Sequence, residues 1–262
     1  MARPLVMGIV NVTPDSFSDG GKFLSHEQAI AHARKLIEDG ADILDIGGES
    51  TRPGAAAASL QEELDRVMPV LLALQGSGVP VSVDTQKPDV MKTAIATGAS
   101  MINDVNALQA EGAIEACSQS SVAICLMHKQ GMPETMQQAP AYDSVVREVG
   151  QFLEARALAC KQAGIAADRI VIDPGFGFGK TVDHNFTLLR ELGSLVRLGY
   201  PVLAGYSRKS SLGAVTGRAV EQRLAASLAA AMIAVQNGAT ILRVHDVAET
   251  VDVLKMLAAV RS

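Results

Sequence analysis

The sequence lacks the charge and cysteine content that mark several classes of protein. Its 262 residues carry 23 basic and 28 acidic side chains, and the net charge of −5 argues against a general nucleic-acid binder, which needs a basic surface. Its cysteines are Cys117, Cys125 and Cys160, an odd number without close spacing. This use of cysteine indicates reduced thiols, so we expect a cytoplasmic protein without a disulfide framework.

Segments for targeting or membrane insertion are also missing. Residues 1–10 have no basic region leading into a long apolar one, and the most apolar segment, 224–235, is alanine-rich and interrupted by Ser227. A membrane-spanning helix needs about 18 or more apolar residues in succession. We therefore expect no signal peptide and no membrane contact, and we assign 224–235 to a buried or interface helix.

Three catalytic sequence patterns are absent. No G-x-S-x-G segment occurs, so an α/β-hydrolase nucleophile elbow is excluded. The five histidines have no paired spacing, and no cysteine stands near one at ligand spacing, which argues against a zinc site. Residues 173–181, DPGFGFGKT, resemble a P-loop, but Pro174 stands where that motif requires glycine. We interpret this segment as a tight strand-to-helix loop that brings its backbone and Phe178 close to a ligand.

Short apolar segments alternate with longer helical ones along the whole chain, and apolar residues make up 48% of it, enough for a large core. Strands are predicted at 5–12, 43–46, 79–83, 101–105, 122–127, 170–172, 201–204 and 241–244. Helices are predicted at 27–39, 60–75, 88–97, 111–118, 142–163, 183–192, 219–236 and 247–260. This alternation indicates an α/β protein, a single (β/α)8 TIM barrel domain over residues 1–262. A doubly wound open sheet is the alternative, although it usually has fewer strands.

Polar side chains follow the apolar strands at the point where each strand ends. They are Asn11, Asp45, Asp84, Asn103, His128, Asp173, Lys209 and His245. In a barrel the carboxyl ends of all strands meet at one rim, where the active sites of this architecture lie. We therefore expect these side chains to surround one opening.

Cationic and protonatable side chains form one group at this predicted rim. Arg243 and His245 are two residues apart on the last strand, so they face the same side. Lys209 follows the neighbouring strand, and Arg52 lies in a loop. They predict a small anion pocket, because the planar guanidinium can bind two phosphate oxygens at once. The alternative is an ion-pair network whose acidic members are Asp173, Asp246 and Glu49, and the residues alone leave both interpretations open.

Carboxylates and an amide form a second group, made of Asp84, Asn103 and Asp173. A carboxylate beside a carboxamide can recognise a flat heterocycle with adjacent N–H donors, such as a 2-amino-4-oxo pyrimidine edge. A metal site or a salt bridge to Lys209 would use the same residues. Oxygen-ligated Mg²⁺ stays open as well, because it needs few protein ligands and accepts substrate phosphates.

One family combines the motifs of this chain in the same order and at similar intervals. The segments are NVTPDSFSDGG, DIGGESTRPG, VSVDT, INDV, LMH, DPGFGFGK, SRKS and RVHDV. On these motifs the chain, from Gly8 to Val247, resembles the dihydropteroate synthases of bacterial folate biosynthesis. Each motif alone is modest evidence, but eight motifs in register are specific.

The resemblance implies a transferase that condenses 6-hydroxymethyl-7,8-dihydropterin diphosphate with 4-aminobenzoate, giving 7,8-dihydropteroate and diphosphate. It implies that the pterin is held by Asp84, Asn103, Asp173 and Lys209. It implies that the diphosphate is held by Asn11, Arg243 and His245, with Mg²⁺ ligated by Asn11. The aminobenzoate site would comprise Thr51, Arg52, Pro53, Phe178 and Ser210. Catalytic roles fall to Asp19, Lys209, Arg243 and His245, where Asp19 helps to stabilise the reacting pterin.

The resemblance also implies a homodimer whose partners are small-molecule substrates. The helix at 224–235 is our candidate for the dimer interface. Lys129 and Tyr206 depart from the usual family residues at their positions. A corrinoid-linked pterin methyltransferase of the same barrel superfamily is the alternative function. A Schiff-base aldolase using Lys209 and a non-catalytic pterin-binding module are more distant ones.

Overall fold

The computed structural model of the chain describes residues 3–13, 22–50, 57–131, 136 and 139–261. Eight strands occur within these residues, and all of them are parallel. They are β1 (Leu5–Asn11), β2 (Ile43–Gly47), β3 (Val81–Asp84), β4 (Met101–Asp104), β5 (Ala123–Met127), β6 (Ile170–Asp173), β7 (Leu203–Ala204) and β8 (Ile241–Val244). Every predicted strand is therefore confirmed, with boundaries shifted by up to two residues.

The strands close into a barrel. Their order in the sheet is β6-β5-β4-β3-β2-β1-β8-β7, so β1 pairs with β8 as it does with β2. The remaining gap, between β6 and β7, is bridged by a parallel contact between Ile172 and Val202. The backbone N–H of Ile172 also donates to the carbonyl of Pro201 at 3.0 Å. This closure confirms the (β/α)8 barrel and excludes the open-sheet alternative.

Helices follow the strands and cover the outside of the barrel. They are α1 (Lys22–Glu38), α2 (Leu60–Ala73), α3 (Pro88–Ala96), α4 (Ala113–Ser118), α5 (Val145–Gln162), α6 (Val182–Arg190), α7 (Gly193–Val196), α8 (Ser210–Thr216), α9 (Leu224–Gln236) and α10 (Val247–Arg261). None of the helices in the described part of the chain is both long and apolar enough to cross a bilayer.

Two helices begin with capping boxes that the sequence encodes locally. At α2 the Ser59 hydroxyl accepts from the backbone N–H of Glu62, and the Glu62 carboxylate accepts from the N–H of Ser59. At α6 Thr181 and His184 make the equivalent reciprocal pair. Such caps satisfy backbone donors that the helix itself leaves unpaired, which is worth about 1 kcal/mol each.

The sequence prediction missed two helices. The short helices α7 and α8 were not predicted, and residues 219–222, predicted as the start of a long helix, contain a separate 3-10 turn, Val220–Gln222. The helix α8 begins directly after Lys209, so the last residue of the polar SRKS motif, Ser210, starts a helix. A helix is recognised in sequence by apolar residues spaced three to four positions apart, and a polar start interrupts this spacing.

The barrel has two apolar cores. The larger one lies between the sheet and the surrounding helices. The smaller one fills the amino-terminal half of the barrel interior with Met7, Ile43, Met101, Cys125, Val171, Leu203 and Ile241. Because side chains alternate between the two faces of a strand, the next inward-facing positions toward the carboxyl ends are two residues further on. These positions carry the candidate site.

Candidate active site

Four strands bring the predicted polar residues to one opening of the barrel. Asp84 ends β3 and Asp173 ends β6, while Asn103 and Arg243 lie on β4 and β8. A Cβ built at Gly205, just after β7, would lie 3.8 Å from Asp173 Oδ2 and 3.9 Å from Arg243 Cβ. The predicted pterin and anion groups are therefore adjacent, as the barrel topology requires.

Arg243 is the centre of a buried ion-pair network. Its Nε donates to Asp45 Oδ2 at 2.6 Å, and its terminal NH2 group donates to Asp84 Oδ2 at 2.9 Å. Asp45 is fully buried, and its Oδ2 also accepts from Asn103 Nδ2 at 3.1 Å. Burial works against the charge on Arg243, but the two aspartates raise its pKa above the ordinary value. The guanidinium stays cationic and is held with its terminal nitrogens toward the opening.

The loop between β6 and α6 fixes the orientation of Asp173, the last residue of β6. The backbone N–H of Gly175 donates to Asp173 Oδ1 at 2.7 Å, which leaves Oδ2 turned toward Gly205. Lys180 is buried and its Nζ donates to the carbonyls of Gly175 at 3.0 Å and Phe178 at 2.9 Å. The side-chain nitrogen of Lys180 therefore holds this loop in shape and confirms the tight loop predicted from the sequence.

The same lysine contacts the end of β5. Lys180 Nζ lies 2.9 Å from Nδ1 of His128, a buried histidine. Burial lowers the pKa of His128 to about 3, and the nearby Lys180 acts in the same direction. His128 is therefore neutral at neutral pH, and its Nδ1 accepts the hydrogen bond that Lys180 donates.

Lys209 connects the pterin group with the predicted aminobenzoate group. Its Nζ lies 4.2 Å from the centre of the Phe178 ring, a cation–π distance. A Cβ at Gly177 would lie 3.1 Å from Lys209 Cδ, so the loop packs closely against the lysine stem. The predicted site residue Ser210, by contrast, is exposed as the first residue of α8.

His245 is oriented by Ser207. The Ser207 hydroxyl oxygen accepts from the backbone N–H of His245 at 3.3 Å and lies 3.0 Å from Nδ1 of the same residue. In the tautomer in which Nδ1 accepts from the Ser207 hydroxyl, Nε2 carries the imidazole proton and is free to donate. Burial lowers the pKa of His245 to about 4, with Arg208 and Arg243 adding to the effect. At neutral pH His245 offers a neutral N–H and not a positive charge.

Burial also shifts the pKa values of the acids and of the lysine at the barrel opening. It raises the pKa of Asp173 to about 6, against the hydrogen bond from Gly175 and the charge of Lys209. It lowers the pKa of Lys209 to about 8, with Arg243 adding to the effect and Asp173 opposing it. It raises the pKa of Asp84 as well, although Arg243 favours the ionised form. Near neutral pH Asp173 is mostly ionised and Lys209 mostly protonated.

Asn11 ends β1 beside an open space at the rim. A Cβ at Gly47 would lie 3.8 Å from Asn11 Oδ1 and 3.9 Å from Asp84 Oδ2, so the glycine keeps the space between these oxygens clear. No three His, Cys, Asp or Glu side chains among the described residues could enclose a metal by themselves. Mg²⁺ commonly takes one or two protein oxygens and fills its other positions with substrate phosphates and water. Asn11 Oδ1 is an oxygen of the kind that Mg²⁺ accepts, whereas Asp84 Oδ2 already binds Arg243.

Comparisons with known proteins identify the family. A family model described as "Pterin binding enzyme" matches residues 7–245. The chain is 49% identical to dihydropteroate synthase of Escherichia coli strain K12, across 100% of this chain and 93% of that protein. The solved structure of Xanthomonas albilineans dihydropteroate synthase with 4-aminobenzoic acid is 55% identical and has a TM-score of 0.94, covering 99% of this chain and 94% of that one. The chain belongs to the dihydropteroate synthase family.

A second solved relative adds the product of the reaction. Burkholderia cenocepacia dihydropteroate synthase complexed with 7,8-dihydropteroate is 50% identical with a TM-score of 0.91, covering 100% of this chain and 92% of that one. Membership of the dihydropteroate synthase family makes this chain a transferase enzyme of folate biosynthesis. It confirms the resemblance inferred from the motifs and gives no support to the corrinoid-linked methyltransferase alternative.

Some predicted dihydropteroate synthase residues lie outside the described part of the chain. They are Asp19, Thr51, Arg52 and Pro53. The two positions that depart from the family are described. Tyr206 is buried against Phe176 with ring centres 4.6 Å apart, and Lys129 Nζ donates to Gln86 Oε1 at 3.3 Å. Tyr206 therefore supports the wall behind the site through packing.

The alternative ion-pair network was wrong in its partners. Asp246 pairs with Arg208, and Glu49 pairs with Lys87 at 2.9 Å. Arg243 does form ion pairs, but with Asp45 and Asp84. The predicted salt bridge between Asp173 and Lys209 is replaced by a looser electrostatic contact that still shifts both pKa values.

Sequence reasoning missed two residues of this family site. Asp45 was seen at a strand end but was given no role, although a lone acid inside the apolar segment ILDIG is a detectable signal. Its position two residues after inward-facing Ile43 predicts that it also faces the barrel interior. Lys180 was considered only as part of the P-loop resemblance, and no local pattern shows that its ammonium turns back onto its own loop.

Proposed function

We propose that this chain condenses 6-hydroxymethyl-7,8-dihydropterin diphosphate with 4-aminobenzoate to give 7,8-dihydropteroate and diphosphate. The observation that carries the proposal is the meeting of Asp84, Asn103 and Asp173 with Arg243 at one barrel opening. Acids and an amide suit the N–H edge of a pterin, and the arginine beside them suits a phosphate. Two relatives with solved structures contain 4-aminobenzoic acid and 7,8-dihydropteroate, which supports the same assignment.

The pterin end is bound by polar groups that differ in charge. Asp173 offers Oδ2 to the ring N–H and amino donors, since its Oδ1 is already occupied by Gly175. A carboxylate with two N–H donors makes charge-assisted hydrogen bonds, which are about twice as strong as neutral ones. Asp84 and Asn103 add an acceptor and an amide, and Lys209 donates to a ring acceptor. Together these residues select a bicyclic ring with a defined donor and acceptor order.

The diphosphate end is bound by Asn11, Arg243 and His245. The C–O bond between the pterin methylene and the diphosphate breaks, and its electron pair leaves with the diphosphate. The terminal nitrogens of Arg243 and the Nε2–H of His245 stabilise the negative charge that grows there. The positive charge left at the methylene delocalises into the pterin ring, where Asp19 would help to stabilise it.

A magnesium ion would be held by Asn11 in this space and would neutralise diphosphate charge. The side chains themselves supply orientation. Arg243 is already held through its Nε by Asp45, so little reorganisation is needed when charge develops at the leaving group. Positioning of this kind is the main catalytic contribution that we assign to the protein.

The second substrate attacks through its aromatic amine. The amine nitrogen forms a C–N bond with the methylene carbon and then loses a proton, so no strong base or covalent nucleophile is needed. We assign its site to Thr51, Arg52, Pro53, Phe178 and Ser210. Phe178 supplies an aromatic face, and its contact with Lys209 links the aminobenzoate site to the pterin site. Exclusion of water would prevent water from capturing the methylene cation.

We also propose a homodimer in the cytoplasm, with small molecules as partners and without nucleic-acid or membrane binding. The helix α9 carries exposed Met232 and Ile233 beside buried alanines, which suits an interface. All three cysteines are free and buried, which suits a reducing compartment. Sedimentation of the purified chain over a concentration range tests the dimer.

A diphosphate-release assay tests the proposed reaction. Release should require both the pterin diphosphate and 4-aminobenzoate, and 7,8-dihydropteroate should form in equal amount. Diphosphate release that ignores 4-aminobenzoate would contradict the proposal. Methyl transfer from methyltetrahydrofolate without diphosphate release would do so as well.

A further inference from the structure

One carboxylate contacts both halves of the site. Asp45 is fully buried on β2, and its Oδ2 accepts from Arg243 Nε at 2.6 Å and from Asn103 Nδ2 at 3.1 Å. Arg243 is assigned to the diphosphate and Asn103 to the pterin. A single oxygen atom therefore joins side chains that serve the two ends of one substrate.

The two aspartates hold different parts of Arg243. Asp45 binds Nε, at the stem of the guanidinium, whereas Asp84 binds a terminal nitrogen. Asp84 is itself assigned to the pterin, so a pterin can compete with Arg243 for Asp84 Oδ2. Asp45 lies deeper in the barrel and keeps its bond to Nε when Asp84 changes partner. The bond from Nε also fixes the plane of the guanidinium and the direction of its terminal nitrogens.

The other oxygen of Asp45 indicates why this residue is an acid. Asp45 Oδ1 is buried and has no hydrogen bond among the described residues, and the same is true of Ser82 Oγ. Asp45 and Ser82 are register partners on β2 and β3. An asparagine at position 45 would offer the same acceptor oxygen to Arg243 and Asn103 without the charge, so hydrogen bonding to these two residues does not by itself require an acid. A buried carboxylate with an unpaired oxygen is costly, and its charge is useful only toward Arg243.

We infer that Asp45 is a positioning residue of the dihydropteroate synthase reaction, whose charge directs Arg243 toward the diphosphate while its shared oxygen directs Asn103 toward the pterin. The inference rests on the proposed function. It predicts that the two ends of the substrate depend on one residue that touches neither of them.

The variant Asp45→Asn tests this dependence because it keeps shape and acceptor but removes charge. The probes are 6-hydroxymethylpterin and inorganic diphosphate with Mg²⁺, each titrated separately by calorimetry. Without the Asp45 charge, Arg243 keeps Asp84 as its remaining counter-ion, so it competes with the pterin and turns from the diphosphate. Both affinities should fall roughly tenfold or more. Unchanged affinities, or a loss confined to one probe, would overturn the inference.

A matched control removes a carboxylate from another arginine–aspartate pair next to the same strand. Asp42 directly precedes β2 and pairs with Arg3 at the opposite end of the barrel. Asp42→Asn should leave both probe affinities unchanged. If the unaltered protein binds neither probe, the proposed function fails and the Asp45 inference is not the cause.

A second variant keeps the inference testable if Asp45→Asn does not fold. Asn103→Ala removes a partner of Asp45 from the pterin end and leaves all charges in place. Because Asp45 joins Asn103 to Arg243, this variant should weaken inorganic diphosphate binding roughly fivefold, although Asn103 belongs to the other end of the substrate. An unchanged diphosphate affinity would overturn the inference.

Discussion

The two halves of the barrel interior are built from the same strands but have opposite chemistry. Toward the amino-terminal ends, Ile43, Met101, Val171 and Ile241 pack into a closed apolar core. Two residues further along the same strands stand Asp45, Asn103, Asp173 and Arg243. One step of the pleat, about 6–7 Å, separates a region that stabilises the fold from a region that binds charge. We call the apolar, amino-terminal half of the interior the lower half and the polar, carboxyl-terminal half the upper half. The lower half can therefore fix the geometry of the upper half without taking part in its chemistry.

The largest expected effect comes from an upper-half substitution, Asp173→Asn. A neutral amide makes only uncharged hydrogen bonds to the N–H donors of the pterin edge, so pterin affinity should fall by roughly 2–5 kcal/mol. Calorimetry with 6-hydroxymethylpterin measures the change. The control is Val171→Ala, one step lower on the same face of β6, which should leave this affinity unchanged. Equal affinity in Asp173→Asn and the unaltered protein would contradict the assignment.

A smaller effect is expected at the rim from Asn11→Ala. Loss of the amide oxygen should raise the Mg²⁺ concentration needed for half-maximal turnover by roughly 10–100-fold, the range seen when metal sites lose a supporting group. Pterin affinity measured without diphosphate should not change. The assay is turnover as a function of Mg²⁺ concentration. A normal rate with normal Mg²⁺ dependence would exclude Asn11 as a ligand.

The pH dependence of pterin binding sharpens the comparison further. Burial raises the pKa of Asp173 to about 6, so its ionised form, which accepts the N–H donors, is lost as pH falls through that value. Because the Asp173 carboxyl becomes protonated below pH 6, affinity should fall roughly tenfold for each pH unit below that value. Titrations between pH 5 and 8 in Asp173→Asn should lack this step. Persistence of the step in the variant would assign it to another group.

The smallest effect is expected in the lower half, from Ile241→Val. Ile241 is buried two residues before Arg243, and removal of one methyl group should lower the free energy of unfolding by about 0.5–1.5 kcal/mol. The KM values for both substrates should stay as they are. Chemical denaturation and steady-state kinetics give the two quantities. A raised KM without loss of stability would show that the two halves are not separate.

The fold was predictable because its signals are local and repeated. Each strand is a short apolar segment, and the predicted strands alternate with predicted helical segments, so eight weak signals agree on one barrel. The short helix α8 escaped prediction because the polar segment before Leu212 looks like a loop. The closing contact between Ile172 and Val202 has no sequence signal and follows only from the geometry of the closed sheet.

The sequence predicts which residues stand at the strand ends of the site. It does not predict which of these side chains pair with one another. The strand-end positions of Asp84, Asn103 and Asp173 and the two-residue spacing of Arg243 and His245 follow from strand topology and parity. The partners of Arg243 do not, because three carboxylates lie within reach and their separations depend on the stagger of the strands. The sequence therefore predicts that Asp45 faces the barrel interior. Its pairing with Arg243 is seen only in the three-dimensional structure.

The loops after β5 and β6 are pressed together so closely that they form a single wall. A Cβ at Gly175 would lie 1.9 Å from the carbonyl oxygen of His128, and one at Gly179 would lie 2.2 Å from that of Gln130. Neither loop can shift alone, since Lys180 ties them at the same place. An inhibitor that contacts the wall formed by these two loops meets a rigid surface and has to match its shape. A side chain added at Gly175 or Gly179 would disturb both loops together. Few substitutions in this wall could therefore weaken an inhibitor and still leave the enzyme active.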